Sequence, residues 1–159
     1  MVVIVLVFLQ SSLSAQIFRR ATVLLDGGVA VSLNREWNLS ALIRGEYCVL
    51  DNIGPLSFGF AMYGSVPIIM AQPYVGITTN YHLNLNYFNI PFLKQFDTYA
   101  GIGIQSDFTF ASDSSLVAIT LIQDIGIRYF FTDFLAAYLS FRFSFFGVAP
   151  LSLGVTFKL

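Results

Sequence analysis

Charge is scarce in this sequence. Charged residues make up 11% of its 159 positions, against about 25% in an ordinary water-soluble domain, while hydrophobic residues make up 56% and the mean hydropathy is +0.72. So few charges cannot build the usual water-facing surface. Neither sign is in excess: eight basic and nine acidic residues leave a formal net charge of -1, with nothing to hold a phosphate backbone, which excludes nucleic acid as a partner. The apolar content equally excludes disorder. Cysteine occurs once, so Cys48 has no partner for an intrachain disulfide; between Tyr47 and Val49 it reads as a buried or lipid-facing thiol rather than a nucleophile. Histidine also occurs once, and His82 alone weakens any histidine-centred metal cluster. Gly101 and Gly103 lie inside an alternating segment without the strand-to-helix context of a phosphate loop, and read as small inward residues that relieve crowding where a sheet curves. No metal or cofactor is expected. Sparse loop carboxylates at Asp51 and Asp113 read as solvated turns.

Long apolar runs are missing too. No stretch outside the N-terminus approaches the 18 apolar residues of a transmembrane-helix candidate. Residues 1–9, MVVIVLVFL, are too short to span a bilayer and match the core of a signal peptide, although no basic residue precedes them. Small residues follow, with Ala15 at the expected cleavage boundary. Residues 1–15 are therefore expected to be a signal peptide and 16–159 the folded domain; the alternative is a buried N-terminal strand.

What the sequence does contain is a period of two. In YAGIGIQSDFTF, residues 99–110, one face reads Tyr, Gly, Gly, Gln, Asp, Thr and the other Ala, Ile, Ile, Ser, Phe, Phe. LSLGVTFKL, residues 151–159, repeats the rule. Further strands are expected near 27–34, 39–48, 56–65, 74–83, 117–129 and 134–145, giving eight. Turn chemistry separates them at 34–38, 51–55, Pro67 and Pro73, 112–115, 132–133 and 147–150. Segment 83–96 alternates weakly and reads either as a long turn or as strand extensions, and 17–25 reads either as the start of the first strand or as a separate one. Ten strands is the fallback. The aromatic-flanked turns at 34–38 and 130–134 look alike, yet a count of eight puts them on opposite sides.

The charges follow the same parity. Arg44 and Glu46 share a face, as do Asp124 and Arg128; Arg142 lies with Tyr138, Ser140 and Ser144; Asp107 and Lys158 fall on the polar faces of their strands. All seven assign to one interior. An open sheet in lipid leaves edge groups unsatisfied at several kcal/mol each, so these faces are expected to close into an antiparallel up-and-down transmembrane β-barrel with a self-compensating polar core. A soluble eight-stranded calyx with an apolar ligand would reverse the faces and carry far more charge. Aromatic residues near strand ends are expected to form interfacial girdles: Trp37, Tyr47, Tyr74, Tyr81, Tyr87, Phe96, Tyr99, Tyr129, Phe130 and Phe134. His82 is expected at the polar rim. An enzymatic alternative would pair it with Ser112, Asp113 or Ser114, which no local spacing supports.

The alternating strands, the YxGxGxxxDF-like strand at 99–108, the aromatic turn at 129–134 and the ending LGVTFKL together resemble the small bacterial outer-membrane β-barrel proteins. The wording is closest to spirochaete members, related in style to the OmpX-like and OmpW-like eight-stranded proteins. The resemblance covers residues 17–159 and is one of pattern. It implies a bacterial outer-membrane location, outer-membrane lipid and the barrel insertion machinery as partners, and a structural or narrow-channel role for small solutes. Host adhesion, with a host surface ligand, is the alternative. In such families a terminal aromatic residue is read by the insertion machinery; here Phe157 and Leu159 stand in that place.

Overall fold

The structure, a computed structural model, describes residues 18–32, 38–69, 72–88, 90–111, 114–144 and 150–159. Eight antiparallel strands follow one another in chain order: β1 (Val23–Ser32), β2 (Asn38–Ile53), β3 (Leu56–Ile69), β4 (Tyr74–Leu83), β5 (Phe96–Ala111), β6 (Ser114–Phe130), β7 (Leu135–Ser144) and β8 (Pro150–Lys158). Each pairs with its neighbour, and β1 pairs with β8 from Leu24 opposite Lys158 to Ser32 opposite Pro150, so the sheet closes into a barrel. Closure leaves no edge strand with unpaired backbone groups.

Chain order sets two ends. β1 begins and β8 finishes at one, together with the β2–β3, β4–β5 and β6–β7 connections. The other end, the far end, carries the remaining four. The strand ends that flank 33–37 and those that flank 131–134 lie at opposite ends, as eight strands require. Strand β1 starts four residues earlier than the alternation at 27–34 suggested, so Asp26 lies within a strand and not at a turn. The weakly alternating segment is a long connection holding two short 3-10 turns, Leu85–Phe88 and Pro91–Gln95. Pro91 opens the second turn, where its missing N–H costs no bond. The β2–β3 connection is a two-residue hairpin in which Gly54 has φ of +62, the sense that a hairpin turn with glycine first needs.

Alternation sorts the side chains cleanly. Outward positions hold Ile43, Phe60, Met62, Ile77, Ile104 and Ile119, the last 73% exposed. Between the rims, the outward faces of the described strand residues carry no charged side chain. Inward positions hold the glycines where large side chains cross: a Cβ at Gly126 would lie 2.5 Å from the Tyr99 ring, and one at Gly76 would overlap the Tyr63 phenol. At the end bearing the strand β1 start, Phe18 folds in ahead of β1 and closes an apolar layer with Leu24, Cys48, Phe130 and Ala136. Its ring occupies the space that Gly59 leaves; a Cβ there would be 2.7 Å from Phe18 Cζ. A second apolar layer of Leu42, Tyr63, Tyr74 and Ile122 lies farther toward the far end.

Candidate functional site: a buried charge network in the lumen

Between the two apolar layers sit eight buried ionisable groups: Asp26, Glu46, Asp97 and Asp124 with Arg44, Arg128, Arg142 and His82. Strand pairing brings them together from β1, β2, β4, β5, β6 and β7. Glu46 is the hub. Its Oε1 accepts from Asn80 Nδ2 at 2.5 Å and meets His82 Nε2 at 2.8 Å; its Oε2 accepts from Arg128 Nη2 at 2.7 Å and Arg44 Nη2 at 3.1 Å. Four contacts match the acceptor capacity of one carboxylate.

Arg128 links three acids. Its Nη2 also donates to Asp26 Oδ2 at 2.9 Å, and its Nη1 to Asp97 Oδ2 at 2.8 Å. Asp26 is completed by Thr156 Oγ1, donating at 2.7 Å. Arg44 Nη1 donates to Asp124 Oδ2 at 3.0 Å and to the Tyr99 hydroxyl at 2.6 Å. Two guanidinium groups approach the Tyr99 ring, with Arg44 Cζ 4.4 Å and Arg128 Cζ 4.5 Å from its centroid. A ring face carries negative potential, so it attracts each cation. Arg142 stands nearer the far end over Tyr63, 3.7 Å from the centroid, with its closest acid, Asp124, at 3.6 Å.

His82 lies between two acids: its Nδ1 is 2.8 Å from Asp97 Oδ1 and its Nε2 is 2.8 Å from Glu46 Oε1. Ionised carboxylates only accept, so both contacts are hydrogen bonds when both ring nitrogens carry protons. With an imidazolium there, the layer holds four negative and four positive charges. Such neutrality is what a set of groups at 3% exposure or less needs, because an unmatched ion out of water costs several kcal/mol.

The expectation of a rim histidine is therefore corrected: His82 is 1% exposed and stacks on Phe18 at 3.8 Å between centroids. Phe18, from ahead of the first expected strand, is what covers it. Of the seven expected interior charges, the structure places Arg44, Glu46, Asp124, Arg128 and Arg142 in the network. Asp107 lies apart, accepting from Gln105 Nε2 at 2.6 Å and Thr120 Oγ1 at 3.2 Å. Lys158 is half-buried at the end of β8 and in no ion pair among the described residues. Asp26, Asp97 and His82, none of them among the seven expected interior charges, complete the network; the Tyr74, Gly76, Thr78, Asn80, His82 parity is the signal for His82.

The expected aromatic girdle also divides. Tyr47, Tyr81, Tyr87 and Phe134 are exposed and Tyr129 is partly so. Tyr74, Tyr99 and Phe130 point inward and are buried, because they share the parity of the lumen charges. Trp37 lies outside the described residues. Phe157 and Leu159 are both exposed. The enzymatic pairing fails on topology, since Ser114 opens β6 at the far end whereas His82 lies in the layer next to the opposite end; 112 and 113 are outside the described residues. Among the described residues no cluster of three or more metal-ligating side chains could hold a metal ion.

No family model matches this chain, and no curated protein matches it. Solved structures do. A designed transmembrane β-barrel aligns at TM-score 0.65 and 11% identity over 89% of this chain and 98% of its own. The N-terminal β-barrel domain of Pseudomonas aeruginosa OprF aligns at TM-score 0.56 and 15% identity, covering 88% and 98%. Neisserial surface protein A aligns at 0.54 and 18%, covering 87% and 96%. At these identities the likeness establishes the closed eight-stranded barrel. It does not single out the OmpX or OmpW style.

Proposed function

We propose that this chain is a small, non-enzymatic transmembrane β-barrel of the bacterial outer membrane, structural in role, with a lumen closed by its own side chains. One observation carries the reading: among the described residues the outward strand faces between the rims carry no charged side chain, while eight acidic and basic groups are buried inside. A soluble calyx reverses that arrangement, and water does not tolerate an apolar surface wrapping a whole barrel. Lipid does, and only helices or closed barrels satisfy the backbone there. Strands of nine to seventeen residues reach the length that a tilted strand needs to cross hydrocarbon.

Closure of the lumen supports the structural role over the narrow channel. Asp124 and Arg128 are fully buried, and apolar layers lie on both sides of them. Short connections of two to five residues join the strands at the far end, which argues against an adhesin with a large receptor-binding loop. Residues 1–15 serve as the export signal and Phe157 with Leu159 as the ending read by the insertion machinery.

The test is insertion into lipid vesicles, with heat-modifiable gel migration reporting the barrel and ion current reporting the lumen. Heat-modifiable barrels without steady current are expected. Steady current would overturn the closed lumen in favour of a small-solute channel. A soluble monomer that never partitions into vesicles would overturn the membrane reading.

A further inference from the structure

The connection between β4 and β5 differs from its neighbours at the same end of the barrel. The β2–β3 and β6–β7 connections are two and four residues long, whereas this one runs twelve, from 84 to 95. Surface connections are ordinarily polar, yet Tyr87 is 65%, Phe88 52% and Ile90 46% exposed. Lys94, in the second 3-10 turn, is the only charged residue between 83 and 96. The segment's main contacts are with β5 and between its own two turns, and Asn84 N–H donates to Pro55 O of the β2–β3 hairpin at 2.6 Å.

Outward aromatic pairs flank both points where it leaves and rejoins the wall. Phe58 meets Tyr81 edge-on at 4.6 Å on the β3–β4 side, and Phe96 meets Tyr129, itself edge-on to Phe131, at 5.0 Å on the β5–β6 side. The exposed side chains thus continue the barrel's apolar belt past its rim. Aromatic and aliphatic side chains beside a lone lysine, with no acid among them, suit the zone where acyl chains give way to headgroups.

We propose that the 84–95 connection is a membrane-surface anchor: Tyr87, Phe88 and Ile90 lie in the headgroup region of the leaflet at this end, and Lys94 faces lipid phosphate. The proposal rests on the membrane reading above. It gives the barrel one broad foot on the side where its other connections are too short to reach sideways over lipid.

The experiment places a single tryptophan at 87 (Tyr87→Trp) or 88 (Phe88→Trp) in a Trp37→Phe background. Tyr81→Trp in the same background, on the outward face of β4, is the reference. Each protein is inserted into phosphatidylcholine vesicles carrying a spin label on the headgroup or within the acyl chain, and heat-modifiable migration confirms the barrel. The expected result is blue-shifted emission at 87 and 88, quenched more by the headgroup label than by the acyl label. Water-like, unquenched emission at both positions, with quenching intact at 81, would overturn the anchor and leave a protein-facing surface. Loss of quenching at 81 as well would overturn the membrane reading itself.

Discussion

Glu46 and His82 meet at 2.8 Å inside the lumen, beneath Phe18, and the second ring nitrogen of His82 lies at the same distance from Asp97. The imidazole is thereby a bridge between two acids on opposite sides of it, from β2 and β5. Replacing His82 by alanine removes the donor to both and leaves two buried carboxylates short of compensation. The expected cost is about 3–5 kcal/mol, the range for breaking a buried ion pair by removing one partner. Urea unfolding of the vesicle-inserted protein measures it, and an unchanged midpoint would mean that His82 does not bridge the acids.

The network is not uniform, and double-mutant cycles resolve the difference. Glu46 and Arg128 meet at 2.7 Å, and both Nη atoms of Arg128 donate to carboxylates, leaving only its Nε without a hydrogen-bond partner among the described residues. Asp124 and Arg142 stand 3.6 Å apart, and Arg142 Nε and Nη1 have no hydrogen-bond partner among the described residues. Coupling energies for contacting residues span roughly 0.5–3 kcal/mol; the Glu46–Arg128 pair is expected near the top of that range and the Asp124–Arg142 pair near the bottom. Equal couplings would contradict the geometry.

Inward and outward glycines should respond differently to a methyl group. Gly126→Ala drives a Cβ to within 2.5 Å of the Tyr99 ring, and a stable protein should lose about 1–3 kcal/mol, as overpacked sites do. Gly27→Ala meets nothing within 4 Å on the outer face. It should leave the unfolding midpoint in place. A loss at Gly27 equal to that at Gly126 would mean that the outer face is packed against something other than lipid.

Phe18 closes the lumen from ahead of β1, and its removal tests that layer without touching the ion pairs. Phe18→Ala vacates a buried ring beside Gly59 and uncovers His82. Stability should fall by about 3–5 kcal/mol, as for other buried aromatic truncations, and amide exchange should rise first at Cys48, whose N–H donates to Thr22 O. Unchanged exchange there would mean that the segment ahead of β1 does not cover the lumen.

Parity makes much of this molecule legible from its sequence. Arg44 and Glu46, or Asp124 and Arg128, sit an even number of residues apart in segments that alternate, so each pair must share a face. That the shared face is the interior followed from the bulk and apolarity of the opposite one. The same parity placed Tyr74 with Gly76 and Tyr99 with Gly101, yet proximity to strand ends suggested the membrane girdle for both. Periodicity was the better guide, because which side of a strand a residue occupies is a local property while its depth in a bilayer depends on the tilt of the whole barrel.

Asp26 shows where local reading stops. It stands before two glycines, which read as a turn, and only pairing with both β2 and β8 keeps the chain extended through them. Its partner Arg128 is 102 residues away. Nothing local marks such a contact.

The sequence by itself determined the strand period, the shared inward side of Arg44, Glu46, Asp124, Arg128 and Arg142, the small residues on the lumen face and the surplus of apolar surface that calls for lipid. These are nearest-neighbour properties of a chain with a two-residue repeat. Only the tertiary structure decided which acid meets which base, that His82 is the bridge and not a rim residue, and that Phe18 turns back to cover it. Those outcomes depend on the register accumulated around eight strands, where each pairing shifts the next and the closing pair of β1 with β8 settles all of them at once.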